Sequence, residues 1–306
     1  MGIYIIVSVA VIFGCILTVL LCRRYVRQAF NSIDKVLDRV LSKENSLSAE
    51  ITGENRISKL THKAHRIMDM FFSEAARNKE EKETIQGFIS DMSHQMKTPL
   101  SEISMYADLL LEGNLSEGEQ KEFHSRMKSS TEKLQWIMDS LIKMSRLEVG
   151  AIQLAPVDTN IKQTISDAIG SVIAAAAKKN ISITVSDFQD ISLYHDRKWT
   201  REAVANILEN AVKYSEQDSE IKVSVEPLPT YTKVIVTDYG VGIDKNDWHM
   251  IFKRFYRGQN VSDKEGAGLG LYLAALIMEK QGGYIMVDSV PANFTSFSLF
   301  LQNRKN

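Results

Sequence analysis

Cysteine is nearly absent from this chain. The 306 residues hold two, Cys15 and Cys22, both inside an apolar run near the N-terminus. The remainder therefore has neither a disulfide framework nor a cysteine-based zinc site, and it fits a reducing compartment. An excess of either charge is also missing: 37 basic side chains meet 38 acidic ones, a net of −1. No basic surface is implied, so nucleic acid is not expected as a direct partner. No internal repeat or low-complexity tract is present. The length allows one large domain or two to three small ones.

What is present begins with Ile3 to Cys22, about 20 residues without a formal charge. At about 1.5 Å per residue this run reaches about 30 Å, the thickness of a bilayer core. A cleaved signal peptide would want a basic segment before the run and a small-residue cleavage site after it. Nothing basic precedes it here, and Arg23, Arg24 and Arg27 follow. The pattern predicts a retained transmembrane helix over residues 1–22, with the chain beyond it in the cytoplasm. So little stands before the run that no extracellular sensor domain is expected. Gly2 opens no myristoylation motif, because Ile6 stands where Ser or Thr is required.

Residues 23–79 read as a charged helical linker. Phe30, Ile33, Leu37 and Val40 follow 3-4-3 spacing, Leu41 to Gly53 is a polar connector, and Ile57, Leu60, Ala64, Ile67 and Phe71 repeat as a coiled-coil seam. Over 80–148 the seam continues through Ile85, Ile89, Met92, Met96, Pro99, Ile103, Tyr106 and Leu110. Gly113 and Asn114 interrupt it. Ser116 and Glu119 then have capping-box spacing for a second helix carrying Met127, Ser130, Leu134, Ile137, Leu141 and Met144. Each helix shows a wide apolar face that one hairpin cannot bury alone. Pairing two hairpins into a four-helix bundle buries them, which predicts a homodimer.

Residues 149–156, with Gly150 and Pro156, read as a linker. Residues 157–303 are mixed α/β. Helices are expected over 161–178, 199–214 and 269–281. Strands are expected over 181–185, 221–225, 234–236, 284–287 and 297–301.

Four segments carry chemistry. His94 lies two residues from both Met92 and Met96, about 200° around a helix, so methionines facing the core leave the imidazole in water. Pro99 cannot donate to the carbonyl of Gln95 and crowds it, which bends the helix just after His94. Thr98 lies one turn after His94 on the same face. Asn206 and Asn210 share a helix face, with Lys213 and Tyr214 following on about the same side. Amide oxygens suit Mg²⁺ shared with phosphates, and a lysine approaches phosphate as a point charge. Asp238 ends an apolar run and precedes Gly240 and Gly242, which let backbone and ligand approach closely. Gly266, Gly268 and Gly270 open a helix after a polar loop, 259–265. Its free amides favour phosphate, and the loop is placed to close as a lid.

Ser93-His94-Gln95-Met96-Lys97-Thr98-Pro99-Leu100 resembles the H box of two-component sensor histidine kinases. Segments similar to that family's N box (Asn206 to Tyr214), G1 box (Asp238 to Gly242) and G2 box (Gly266 to Leu271) follow in the family's order. Ile251 to Arg257 resembles its F box. The resemblance covers residues from about 80 to 303. It implies a multidomain architecture: a transmembrane helix, an all-α dimeric four-helix bundle (the HisKA phosphoacceptor domain) and a C-terminal α/β sandwich of the Bergerat ATP-binding fold. The implied activity is autophosphorylation of His94 with ATP and Mg²⁺, transfer to an aspartate of a response regulator, and dephosphorylation of that regulator. The implied setting is the bacterial cytoplasmic membrane, crossed once.

Roles follow residue by residue. The resemblance makes Asn210 the magnesium ligand, assisted by Asn206. Lys213, Tyr214 and Arg257 contact the nucleotide, Asp238 accepts from the adenine amino group, and Thr98 positions the water that dephosphorylates the regulator. Gly240, Gly242, Gly266, Gly268, Gly270 and Leu271 complete the pocket. The family usually has an acid after its histidine; here Gln95 accepts a hydrogen bond but holds no proton at neutral pH. This variant looks like that of small membrane kinases that respond to envelope stress. The stimulus is then expected within the bilayer or through a partner membrane protein such as a transporter.

Helix, connector and helix after the membrane span resemble a HAMP relay, without the proline usual in its first helix; a plain helical linker fits as well. A hydrolase of the same ATP-binding superfamily needs a glutamate four residues before the magnesium asparagine, where this chain has Asn206, and Glu209 is expected to point elsewhere. A pseudokinase is supported by Gln95 alone.

Overall fold

A long apolar helix comes first because nothing in its sequence breaks one. The computed structural model describes residues 2–42, 56–113, 115–258 and 266–303. Helix α1 runs from Gly2 to Ser42, and its stretch Ser8–Asn31 is long and apolar enough to cross a membrane. Val9, Ile12 and Phe13 of this stretch point outward, an arrangement that suits lipid. The helix continues past residue 22, where the expected membrane span ends. Arg23, Arg24 and Arg27 are good helix formers, and α1 passes straight through them. Most of the connector expected over 41–53 lies outside the described residues.

Two compact units divide the chain, Met1–Gly87 and Phe88–Asn306. Helix α2, Arg56–Leu111, begins in the first. There Ile67 and Phe71, on the predicted seam, are both 64% exposed.

In the second unit, α2 and α3 (Glu117–Glu148) form the predicted hairpin. Pro99 is buried inside α2 and the helix continues past it, so the proline is a defect in the hydrogen-bond ladder and not an end. The α3 start is the capping box read from the sequence: Ser116 Oγ accepts from Glu119 N, and the Glu119 carboxylate accepts from Ser116 N at 2.8 Å. Ile137 and Met144 are buried, while Met92, Met96, Ile103 and Leu134 are half-buried between the helices. Ser130 donates to Glu102 at 2.6 Å, and Tyr106 packs on Phe123, fixing the register of the hairpin. Leu100, Met105, Met138 and Ile142 stay largely exposed.

The α/β layer contains a five-stranded sheet in the order β2-β4-β5-β7-β6. Its strands are β2 Ser182–Val185, β4 Glu220–Pro227, β5 Tyr231–Asp238, β6 Tyr284–Val290 and β7 Phe294–Gln302. All neighbours are antiparallel except β2 and β4. Helices α4 (Ile161–Lys178), α5 (Arg197–Tyr214) and α6 (Gly270–Lys280) supply the rest of the core. Alternation places Ile221 and Val223, then Val234 and Val236, then Phe297 and Leu299 in it. A two-stranded sheet, β1 (Val157–Asn160) with β3 (Ser192–His195), was not expected. Its strands are too short and polar to show a period. Beside it, buried His195 shares a hydrogen bond with Thr164 at 2.9 Å.

Candidate functional site

Helix α5 carries the first wall. Asp196 caps its start by accepting from Trp199 N. Its end is held from another element: Lys179 Nζ donates to the carbonyls of Val212, Lys213 and Ser215 at 2.8, 2.9 and 3.2 Å. A cation at a helix C-terminus satisfies carbonyls that lack intrahelical partners and complements the dipole. The turn so fixed is the one that carries Lys213 and Tyr214, and Lys213 Nζ donates to the Tyr214 phenol at 2.9 Å. Asn206 is buried and its amide Nδ2 donates to the Glu202 carbonyl. Its Oδ1 is thereby turned toward Gly270, the first residue of α6.

Asp238 makes the second wall. Strand alternation puts it in the buried row with Val234 and Val236, so a carboxylate occupies a core position at the strand's end. Its Oδ1 accepts from Gly240 N at 3.1 Å. Gly240 presses on the end of α5: a Cβ there would stand 2.4 Å from the Tyr214 carbonyl oxygen. The loop beyond is tied to the β6–β7 hairpin, with Ile243 N donating to Ser289 Oγ and Ala292 N to the Val241 carbonyl, both at 2.8 Å.

The third wall is the start of α6. Leu269 at its N-cap offers no side-chain hydrogen bond, so the first amides remain available to an anion. Gly268 adopts φ +71, and a Cβ on it would meet the Phe255 carbonyl carbon at 2.7 Å. Phe255 itself has φ +60, unusual for a bulky residue, and is pinned by its N–H on the Gly268 carbonyl at 2.9 Å. The expected lid, 259–265, lies outside the described residues.

These walls enclose a cavity of about 350 Å³, of the size that takes small ligands. Asn206, Asn210, Lys213, Tyr214 and Asp238 line it, as predicted. So do Gly242, Arg257, Gly266, Gly268, Gly270 and Leu271. Gly240 stands behind the wall. Sequence reading missed Ile243, Thr295 and Phe297, which also line the cavity; Thr295 arrives there by pairing with Asp238 across β5 and β7. It also missed Lys133 and Trp136 of α3. Glu209 corrects an expectation. It lines the cavity too, because the wall from α3 extends the space around α5. Loss of hydration and then the neighbouring Glu202 carboxylate raise its pKa, and Lys143 opposes the shift. Among the described residues no cluster of His, Cys, Asp and Glu is arranged to hold a metal by itself. The amide oxygens of Asn206 and Asn210 fit a cation shared with a polyphosphate.

His94 is elsewhere. It is exposed on α2, as the two-residue step predicted, and lines a separate cleft of about 280 Å³ with Asp91, Gln95 and Lys253 to Tyr256. Thr98 is likewise exposed, its hydroxyl 3.5 Å from the His94 carbonyl. Phe255 packs on Phe88 of α2 with ring centroids 6.1 Å apart, and the Arg254 guanidinium lies 4.8 Å from the centres of both the Phe88 and Tyr272 rings. Arg254 and Tyr272 both bond the Glu148 carboxylate at the end of α3. The segment resembling an F box is therefore the strap between the two clefts, and Tyr256 lines both.

An exposed histidine on a helical hairpin, joined to a glycine-walled cavity on an α/β layer, defines a class. The model of the His Kinase A phospho-acceptor domain matches residues 84–150. The model of the histidine kinase-, DNA gyrase B- and HSP90-like ATPases matches residues 195–305. Together they span more than half of the chain, which belongs to the two-component sensor histidine kinases. It is similar to the sensor-like histidine kinase SenX3 of Mycolicibacterium smegmatis, 27% identical over 252 residues, covering 81% of this chain and 65% of that one. It is also similar to the histidine-protein kinase/phosphatase MprB of Mycobacterium avium, 25% identical over 284 residues, covering 89% and 52%. The chain thus spans less than two thirds of these relatives. In fold it resembles the histidine kinase AdeS of Acinetobacter baumannii, with TM-score 0.57 and 19% identity over 69% of this chain and 98% of that one. It likewise resembles histidine kinase ThkA in complex with the response regulator protein TrrA, with TM-score 0.60 and 20% identity over 77% and 67%.

Proposed function

We propose that this chain is a membrane-anchored, homodimeric sensor kinase that phosphorylates His94 from ATP and passes the phosphoryl group to an aspartate of a response regulator, which it also dephosphorylates. The observation that carries the reading is the cavity itself: it is lined by a buried carboxylate, a lysine, an arginine and the uncapped start of a helix, with backbone packed too closely for side chains.

Asp238 accepts from the adenine amino group. Lys213, Arg257 and the amides of α6 hold the phosphates. Asn210 and Asn206 would hold Mg²⁺, which neutralises phosphate charge. In-line attack by the unprotonated imidazole nitrogen forms an N–P bond at the γ-phosphorus, breaks its bond to the bridging oxygen and releases ADP, and the proton on the other ring nitrogen passes to water. Positioning and charge neutralisation carry most of this chemistry. Gln95 orients the imidazole without taking its proton, and Thr98 serves the phosphatase reaction. His94 does not border the nucleotide cavity, so transfer requires the α/β layer to leave its seat on the hairpin or a second protomer to deliver the phosphate.

Domain limits follow the sequence: a membrane anchor, a signal linker over 23–79, a phosphotransfer domain over 80–148 and an ATP-binding domain over 157–303. The exposed Met105, Met138 and Ile142 support a second hairpin as partner. The basic residues after the apolar stretch support a single crossing of the bacterial cytoplasmic membrane with the catalytic part inside. Sensing is assigned to the bilayer or to a partner membrane protein such as a transporter.

The test is labelling of the full chain in lipid nanodiscs with γ-labelled ATP. Acid-labile, alkali-stable label is expected on wild type and is expected to fall at least ~100-fold in His94→Gln, with nucleotide binding retained. ATP consumption with equal labelling of the variant would overturn the assignment and favour a hydrolase.

A further inference from the structure

We infer that helix α3 of the hairpin supplies two nucleotide-contacting residues, Lys133 on the phosphates and Trp136 over the cavity mouth, so that bound nucleotide bridges hairpin and α/β layer. The inference rests on the cavity being the nucleotide site.

Both side chains line the cavity together with Asn210, Lys213 and Gly266, although they lie in the segment matched by the phospho-acceptor model. Their position is fixed from below. Lys143 Nζ bonds the Glu202 carboxylate at 2.5 Å, and Glu148 is bonded by Tyr272 of α6 at 2.6 Å. Ten residues back along α3 from Lys143 is about 15 Å, close to the length of α5 from Glu202 to its last turn. Lys133 thus lies on the stretch of α3 that borders the cavity, as Lys213 does on α5.

Chemistry separates these two residues from their neighbours. Lys128, one turn earlier, pairs with Glu132, and Lys143 pairs with Glu202. Lys133 is half-buried and makes no ion pair or hydrogen bond among the described residues. A half-buried ammonium that lines one cavity with a second lysine, Lys213, is repelled by it until an anion enters. A polyphosphate supplies that anion as charge-assisted contacts. Trp136 leaves 38% of its surface exposed and packs on no other ring among the described residues. A flat indole at a cavity mouth removes apolar area from water once a nucleotide lies beneath it. Because His94 faces the other cleft, this bridge favours the seated arrangement.

The test uses the full chain in nanodiscs and a non-hydrolysable ATP analogue with Mg²⁺. Calorimetry is expected to show binding weakened about 5- to 20-fold in Lys133→Ala, largely restored in Lys133→Arg and unchanged in Lys128→Ala. Intrinsic fluorescence is expected to change on titration of wild type, and Trp136→Phe to lose most of that change while Trp199 and Trp248 remain. Wild-type affinity in Lys133→Ala, or an undiminished fluorescence change in Trp136→Phe, would overturn the inference. Absence of binding by wild type would instead defeat the reading of the cavity as a nucleotide site.

Discussion

The hairpin and the cavity are built on opposite plans. His94 stands on the outside of a 56-residue helix, at the edge of an open cleft that Lys253 to Tyr256 also line. The cavity is assembled from several elements, with glycines at which an added Cβ would come within 3 Å of neighbouring backbone. Under the proposed function His94 has to meet an ATP site and then a regulator, so it must stay accessible. A nucleotide site works by prior arrangement, so its walls must not move. The contrast predicts tolerance on one side and intolerance on the other.

The largest effect is expected at Gly240. In Gly240→Ala the new methyl group meets the Tyr214 carbonyl at 2.4 Å, and backbone has to shift at both the Asp238 loop and the end of α5. Nucleotide affinity should fall at least ~10-fold, and stability by about 1–3 kcal/mol as for other overpacked sites. Ser93→Ala beside His94, on the exposed face, should change neither. Calorimetry and urea unfolding of both variants check this, and equal behaviour would erase the contrast.

Lys179 tests whether the cavity depends on support from outside it. Lys179→Met removes three hydrogen bonds from the end of α5. A loss of about 1–2 kcal/mol and a few-fold loss of nucleotide affinity are expected. An unchanged urea midpoint would mean that α5 holds its last turn unaided.

A smaller effect concerns pH. His195 is buried; its Nδ1–H donates to the Leu193 carbonyl at 3.0 Å and its Nε2 accepts from Thr164. Burial holds its pKa below the ordinary value. The unfolded chain takes up that proton near pH ~6.5, before the folded one does. Between the two pKa values the unfolded state binds more protons, so stability is full above the upper one and declines as pH falls through the window. The urea midpoint should drop between about pH 7.5 and about pH 5.5, and the drop should shrink in His195→Gln. A pH-independent difference between the two proteins would remove His195 from the account.

The smallest effect is expected at Gln95, half-buried in the cleft beside His94. Gln95→Glu offers a proton acceptor at an accessible site and should leave the autophosphorylation rate equal or higher. A large loss in the labelling assay would show that the amide is required.

Much of this was readable from periodicity, because burial of one face is a local property of a chain. Helix α4 spans 161–178 as expected, and the capping box at Ser116 starts α3. His94 is exposed because two residues along a helix is about 200° around it, and that angle holds in any tertiary setting. Strands β1 and β3 were not readable, since four residues each are too few to establish a period.

The sequence alone determined the family, the exposed histidine and most cavity residues, since those rest on residue type and short-range spacing. Tertiary structure decided that Lys133, Trp136 and Glu209 share that cavity, that Lys179 closes α5, and that the strap at Arg254 and Phe255 separates His94 from the cavity. Such contacts join residues 30 to more than 100 positions apart. They depend on how whole helices seat against one another, which no local pattern records.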